Sequence, residues 1–203
     1  MKIICVGRNY LEHAHEMRAQ VPELPMFFCK PDTALLRNNQ PFFYPDFSSE
    51  IHYEVEVVIK ICKLGKSVSE KFASNYYNQV GLGIDFTARD IQRNCKEKGM
   101  PWEISKAFDG SAAISPFLPL ETIPNLNSMN FRLDINGKMV QTGNTSEMIF
   151  RFDTIVSYIS QFITLRTGDL IFTGTPAGVG PVFINDLLEA YLNDKKMLRF
   201  RIK

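Results

Sequence analysis

Between His52 and Ile59 the sequence His-Tyr-Glu-Val-Glu-Val-Val-Ile alternates with the two-residue period of a β-strand. Glu54 and Glu56 then project from one face, and Tyr53, Val55, Val57 and Ile59 from the other. Two carboxylates side by side on a strand repel each other unless a proton or a cation lies between them. The same alternation also describes the solvated face of a half-buried antiparallel strand. A third acid bears on the choice. Gly81-Leu82-Gly83-Ile84-Asp85-Phe86 is an apolar run that reads as a second strand ending at Asp85. Thr87-Ala88-Arg89-Asp90 follows as a Thr-x-x-Asp sequence able to cap a helix, which puts Asp85 at a strand-to-helix corner. Three carboxylates, with water or substrate completing the shell, suit Mg²⁺ or Mn²⁺ better than zinc.

The chain has the material to enclose such a site. Its 203 residues are 45% apolar and 12% aromatic, enough for one sizeable core, and a single domain over 1–203 is the expectation. Twenty-three basic residues against 22 acidic ones leave a formal charge of +1, without any block of like charge. That balance points away from nucleic acid and from anionic membranes as partners. Cys5, Cys29, Cys62 and Cys95 are widely separated and include no C-x-x-C pair, so free thiols in a reducing compartment are expected. The hydrophobic run Ile3 to Val6 is too short for a secretory signal, and no stretch approaches a membrane span. A soluble cytoplasmic protein is the expectation.

Along the chain, Lys2 to Val6 reads as a buried strand, broken by Gly7-Arg8-Asn9. Asn9 is placed to cap a helix over Tyr10 to Met17, with Glu12 three residues later. On that helix His13 and Glu16 share a face. They form either a base with its orienting acid or ordinary solvated charge, since Glu12 can pair with His15 equally well. Met26 to Cys29 reads as a strand ending at Lys30-Pro31, where the lysine suits an anionic ligand or a plain strand terminus. A helix is expected from Val68 to Tyr77 and another from about Ala88 to Lys98. The second puts Arg89 and Gln92 on one face, where Arg89 can grip a carboxylate or pair with Asp85 or Asp90. Lys106 is a lone cation in a weakly polar segment. Asn136-Gly137 marks a type I′ hairpin, and Asp153 is placed to cap an amphipathic helix reaching Ile163. Gly174-Thr175-Pro176-Ala177-Gly178-Val179-Gly180-Pro181 is a tight loop whose N–H groups and Thr175 hydroxyl can meet an anion, without the Gly-Lys-Ser/Thr of a P-loop.

These segments, taken in order, resemble the fumarylacetoacetate hydrolase family: Gly7-Arg8-Asn9-Tyr10 with His13 and Glu16, Phe28-Cys29-Lys30-Pro31, Glu54-x-Glu56, Asp85-Phe86-Thr87-Ala88-Arg89-Asp90, Lys106 before Phe108, and Gly174-Thr175-Pro176 with Gly178-Val179-Gly180-Pro181. The resemblance covers essentially the whole chain and is strongest to the small acylpyruvate hydrolase and oxaloacetate decarboxylase group. It implies a mixed α/β, mostly β fold, a rolled mixed sheet with peripheral helices, usually as a homodimer. It further implies Mg²⁺ or Mn²⁺ on Glu54, Glu56 and Asp85, catalytic roles for Lys106 and for a His13–Glu16 dyad on a lid segment, and substrate contacts from Arg8, Lys30, Arg89, Gln92 and Thr175. Tyr53, where a His is expected, and Asp109-Gly110 depart from the pattern.

The implied chemistry is cleavage of small 2-oxo acids. Hydrolysis of an acylpyruvate and decarboxylation of oxaloacetate both leave a pyruvate enolate whose charge a cation stabilises. The alternative is an isomerase or hydratase of 2-hydroxyhepta-2,4-diene-1,7-dioate-type substrates, where isomerisation needs the same groups with only a proton shuttle. A reading of a different class is a non-catalytic module in which the three carboxylates hold a structural cation.

Overall fold

The Val55–Ile61 strand lies at the middle of an eight-stranded sheet, and a computed structural model describes all residues, 1–203. The order across the sheet is Met26–Lys30, Ile3–Gly7, Leu170–Phe172, Val55–Ile61, Tyr77–Asp85, Ala112–Ile114 and Leu35–Leu36, with Leu118–Pro119 paired to one end of Tyr77–Asp85. Ile3–Gly7 runs parallel to Leu170–Phe172, and Leu35–Leu36 parallel to Ala112–Ile114, while the remaining pairs are antiparallel. The sheet is therefore mixed, and the fold mostly β, as expected.

A four-stranded antiparallel sheet packs against it, built from Asn130–Ile135, Lys138–Asn144, Leu187–Leu192 and Lys195–Arg201. Its hairpin turns at Asn136 and Gly137, with φ of +52° and +80°, as type I′ requires. A small third sheet joins Gly180–Pro181, Ile51–Tyr53 and Thr87–Ala88. The amphipathic helix forms over Phe152–Phe162, with Arg151 rather than Asp153 at its N-cap. All four cysteines are free. No helix is long and apolar enough to cross a membrane.

Both faces of the central strand are covered. Val55, Val57, Ile59 and Ile61 enter the large core, and Val58 enters a smaller cluster with Ile3, Cys5, Leu170 and Phe172. Burying each such aliphatic side chain contributes about 1.5–3 kcal/mol. The reading of Glu54 and Glu56 as a solvated face is thereby excluded, since they are 5% and 2% exposed. The strand is also not continuous. Ile51–Tyr53 belongs to the small sheet and Val55–Ile61 to the large one, and the chain changes sheets at Glu54, whose carbonyl accepts the Asp85 N–H at 2.9 Å.

Three local expectations give way to tertiary contacts. Asn9 does not cap the following helix, which spans Leu11–Glu16. Its side chain instead donates to the Thr173 and Phe150 carbonyls at 2.7 and 3.0 Å and accepts the Phe150 N–H at 2.7 Å, tying three distant segments together. Thr87 does not cap the Arg89–Glu97 helix either, because its hydroxyl turns back to the Asp85 carbonyl and Asp90 accepts from Ser48 and Ser49. The segment expected as a helix from Val68 to Tyr77 is a 3₁₀ stretch, Glu70–Tyr76.

Gly83 pairs with Glu56 across the central ladder. A Cβ there would come within 2.6 Å of Phe172 Cζ and 2.9 Å of Val58 Cγ2. Gly83→Ala should therefore destabilise the protein by about 1–3 kcal/mol through overpacking, read as a lower midpoint in urea denaturation. An unchanged midpoint would show that this layer has slack.

Candidate active site

The large sheet delivers two of the acids and the chain's change of sheet delivers the third. Glu56 lies one residue into its strand, Asp85 ends the neighbouring strand, and Glu54 sits at the break. Their ligand oxygens fall within 4.8 Å of one another, and all three residues are buried. Sequence alternation accounts for Glu54 and Glu56, and antiparallel pairing brings Asp85 beside them.

Three cations answer these charges. Lys106 donates to Glu54 Oε2 and Asp85 Oδ2, both at 2.8 Å. Arg89 donates to Glu54 Oε1 at 2.6 Å and to Gln92 Oε1 at 2.7 Å. Its partner is thus Glu54, not the Asp85 or Asp90 that sequence proximity suggests. Lys30 also departs from expectation. Its ammonium has no solvent exposure and lies behind Asp85, 2.7 Å from Oδ1, while donating to the Ser111 carbonyl and hydroxyl at 3.0 Å and to the Lys106 carbonyl. It does not line the cavity, so its place is that of a support for Asp85 rather than a substrate contact.

The three acids are not equivalent. Burial alone would raise Glu54, but the Lys106 ammonium and the Arg89 guanidinium outweigh it and hold the carboxyl far below the usual range. Burial pushes Glu56 the other way, well above that range, reinforced by the charges of Asp85 and Glu54, against which the Gly174 N–H at 2.7 Å offers only partial relief. The loop N–H expected to meet an anion thus meets Glu56. Gly174 takes φ of +103° with Asn9 packed where its Cβ would be, a place that only glycine fills without strain. Burial opposes the charge on Lys106, yet Asp85 and Glu54 together raise its pKa, so it remains an ammonium.

A divalent cation fits this donor set. Glu56 has one donor, the Gly174 N–H, against two neighbouring carboxylates, and no cation of the protein pairs with it. Hard oxygen ligands in a fixed cluster match Mg²⁺ or Mn²⁺.

The cavity in front of the triad is narrow, with a volume of about 40 Å³. Arg8, His13, Arg89, Gln92, Lys106 and Thr175, all singled out in the sequence, line it. The short helix Leu11–Glu16 brings His13 in, and His13 Nδ1 lies 3.0 Å from Glu16 Oε2. Glu16 also accepts the Gly178 N–H at 3.1 Å, tying the helix to the glycine-rich loop. With the Nδ1 proton assigned to that bond, Nε2 is left as an acceptor. Burial would raise Glu16, but the His13 and Gly178 hydrogen bonds lower its pKa overall. Thr175 donates to the Val55 carbonyl and accepts from Gln141. Lys96 and Trp102 also line the cavity and were not anticipated. The signal was present for Lys96, which follows Arg89 and Gln92 at i+7 and i+4 on the same helix face.

Residues 2–203 match the profile of the fumarylacetoacetate (FAA) hydrolase C-terminal family. The chain belongs to the fumarylacetoacetate hydrolase family. Within it, the mitochondrial oxaloacetate tautomerase FAHD1 of Mus musculus is 43% identical, over 99% of this chain and 91% of its own length. The mitochondrial oxaloacetate decarboxylase of Dictyostelium discoideum is 44% identical, over 89% of this chain and 84% of its own. The crystal structure of fumarylpyruvate hydrolase from Pseudomonas aeruginosa in complex with Mn²⁺ and pyruvate superposes with a TM-score of 0.94 at 36% identity, over 100% of this chain and 89% of that one. Family membership therefore rests on the full length of the fold, and these relatives act on small oxo acids.

Two substitutions test the geometry. Glu56→Ala should weaken Mn²⁺ binding by about 100-fold or more, beyond the range for an outer-shell partner, and calorimetry showing wild-type affinity would remove Glu56 from the ligand set. Lys30→Met should cost about 1.5–3 kcal/mol of stability, the range for hydrogen bonds to a charged group, by removing one of the two ammonium partners of buried Asp85. A normally stable Lys30→Met protein with only a raised KM would restore Lys30 to the substrate.

Proposed function

We propose that the protein is a divalent-metal-dependent enzyme that cleaves carbon–carbon bonds in 2-oxo acids, hydrolysing acylpyruvates to pyruvate and a carboxylic acid and decarboxylating oxaloacetate. The observation that carries this reading is the convergence of Glu54, Glu56 and Asp85 with Lys106 and His13, the last held by Glu16, on one cavity. A cation held by the three carboxylates would supply Lewis acidity toward the negative charge that develops on the 2-oxo acid.

The chain's own residues divide the remaining work. Arg89, held in place by Glu54, and Gln92 offer donors that orient a substrate carboxylate. Lys106 adds a fixed positive charge beside the carbon skeleton as electrons move onto its oxygen. In hydrolysis, His13 Nε2 takes a proton from water, the water oxygen bonds to the distal carbonyl carbon, and the bond to C3 breaks with its electrons passing to pyruvate enolate. Glu16 holds the ring and balances the imidazolium. The enolate then accepts a proton at carbon to give pyruvate. In decarboxylation the C3–C4 bond breaks directly, CO₂ leaves, and no water is activated. The homodimer implied by the family likeness is part of the same proposal.

The oxaloacetate tautomerase relative at 43% identity supports a second reading, in which the same groups only move a proton between C3 and the enol oxygen of oxaloacetate. Product analysis separates the two: cleavage yields pyruvate, tautomerisation changes enol absorbance without it.

Turnover of acetylpyruvate and oxaloacetate should require Mg²⁺ or Mn²⁺, and metal that shifts only the melting temperature would reduce the site to a structural one. His13→Ala should slow acetylpyruvate hydrolysis by about two to four orders of magnitude, the scale of a general base, and slow decarboxylation less. Equal losses in both reactions would withdraw His13 as the water-activating base.

A further inference from the structure

Two cations at the cavity mouth have no acidic partner in the protein. Arg89 and Lys106, deeper in, are neutralised by Glu54 and Asp85. Arg8 and Lys96 make neither a salt bridge nor a side-chain hydrogen bond, yet both line the same cavity and both approach one aromatic ring. The Arg8 guanidinium carbon lies 6.0 Å, and Lys96 Nζ 5.5 Å, from the centroid of Trp102.

Their placement is built rather than incidental. Arg8 holds φ of +58°, a left-handed conformation unfavourable for a side chain of its size, fixed by the anchored Asn9 that follows it. Lys96 stands one turn beyond Gln92 on the helix face that carries Arg89, an exposed residue whose ammonium leans over Trp102. Partial desolvation, with the positive charges of Arg89 and Arg8 nearby, pushes its pKa down to about 8. Two like charges held over one ring repel each other, and an anion between them would relieve both. The cavity thus presents acids and their bound cations at its floor and uncompensated positive charge at its mouth.

We infer that Arg8 and Lys96, carried on Trp102, form a second carboxylate subsite that selects 2-oxo acids whose far end is also a carboxylate. This rests on the proposed reaction for placing the 2-oxo carboxylate end at the triad. The chemistry favours a diacid whose terminal carboxylate is remote from the breaking bond, since cations gripping a scissile carboxylate would hold back the electrons that must leave it. Acylpyruvates with an acidic acyl chain meet that condition.

A matched pair of uncleavable ligands tests the subsite. In the presence of Mg²⁺ at pH 7, 2-oxoadipate and 2-oxohexanoate share a six-carbon 2-oxo acid and differ only in a terminal carboxylate against a methyl. Calorimetry should find the diacid bound more tightly by wild type, and the ratio of the two affinities should fall by about 10- to 100-fold in Lys96→Gln, the range for one charged hydrogen bond. Lys96→Arg, which keeps the charge, should retain most of the preference. A Lys96→Gln protein with the wild-type ratio, whether through no loss or through equal loss for both ligands, overturns the inference. In parallel, kcat/KM for fumarylpyruvate should fall more than that for acetylpyruvate in Lys96→Gln. A wild-type protein that keeps the binding preference but cleaves no acylpyruvate would overturn the proposed reaction and leave the subsite standing.

Discussion

Three buried carboxylates within 4.8 Å of one another are the constraint around which this structure is arranged. Removing each ion from water costs several kcal/mol even after the protein relaxes, and only close, well-aligned counter-charges offset it. The protein supplies them from three separate segments: Lys30 at the end of a sheet strand, Arg89 at the start of a helix, and Lys106 at the end of a short one. The compensation is uneven. Glu54 takes two cations and is held ionised, while Glu56 receives a single backbone N–H and favours its proton. That residual deficit is what suits the cluster to a hard divalent cation.

The same arrangement explains why the surrounding loops are built as they are. Gly174 presents its N–H to Glu56 and leaves room for Asn9, whose side chain joins the segments at Phe150 and Thr173. One short stretch, Gly7 to Glu16, therefore sets Arg8 in its left-handed conformation and carries His13 into the cavity. Glu16 closes the circuit through the Gly178 N–H. A change at Asn9 would reach His13, Arg8 and the triad together, because all three depend on the same few hydrogen bonds.

Charge is graded along the cavity. Around the floor three acids meet three cations, Lys30, Arg89 and Lys106, whereas the mouth carries Arg8 and Lys96 unopposed. A ligand negative at both ends matches that distribution better than one negative at a single end, and positive potential at a cleft mouth also draws anions toward it. The proposed selectivity and the proposed chemistry thus fall to different residues, although one helix, Arg89–Glu97, contributes to both.

Local pattern determined much of this on its own. Alternation set Glu54 and Glu56 on one side although the strand breaks at Glu54, the apolar run before Asp85 made it a strand end, helical spacing joined His13 to Glu16 and Arg89 to Gln92, and Asn136-Gly137 specified the hairpin. Each follows from periodicity or backbone conformation within a few residues. What only the tertiary structure decided concerns partners distant in the chain. Asn9 and Thr87 read as helix caps, but long-range or backward hydrogen bonds claimed their side chains. Arg89 chose Glu54, 35 residues away, over its sequence neighbours. Lys30 withdrew behind Asp85 and Lys96 came forward to the mouth. Whether a charged side chain is solvated, paired or left unopposed depends on which strands pair and what they bury, and no local spacing encodes that.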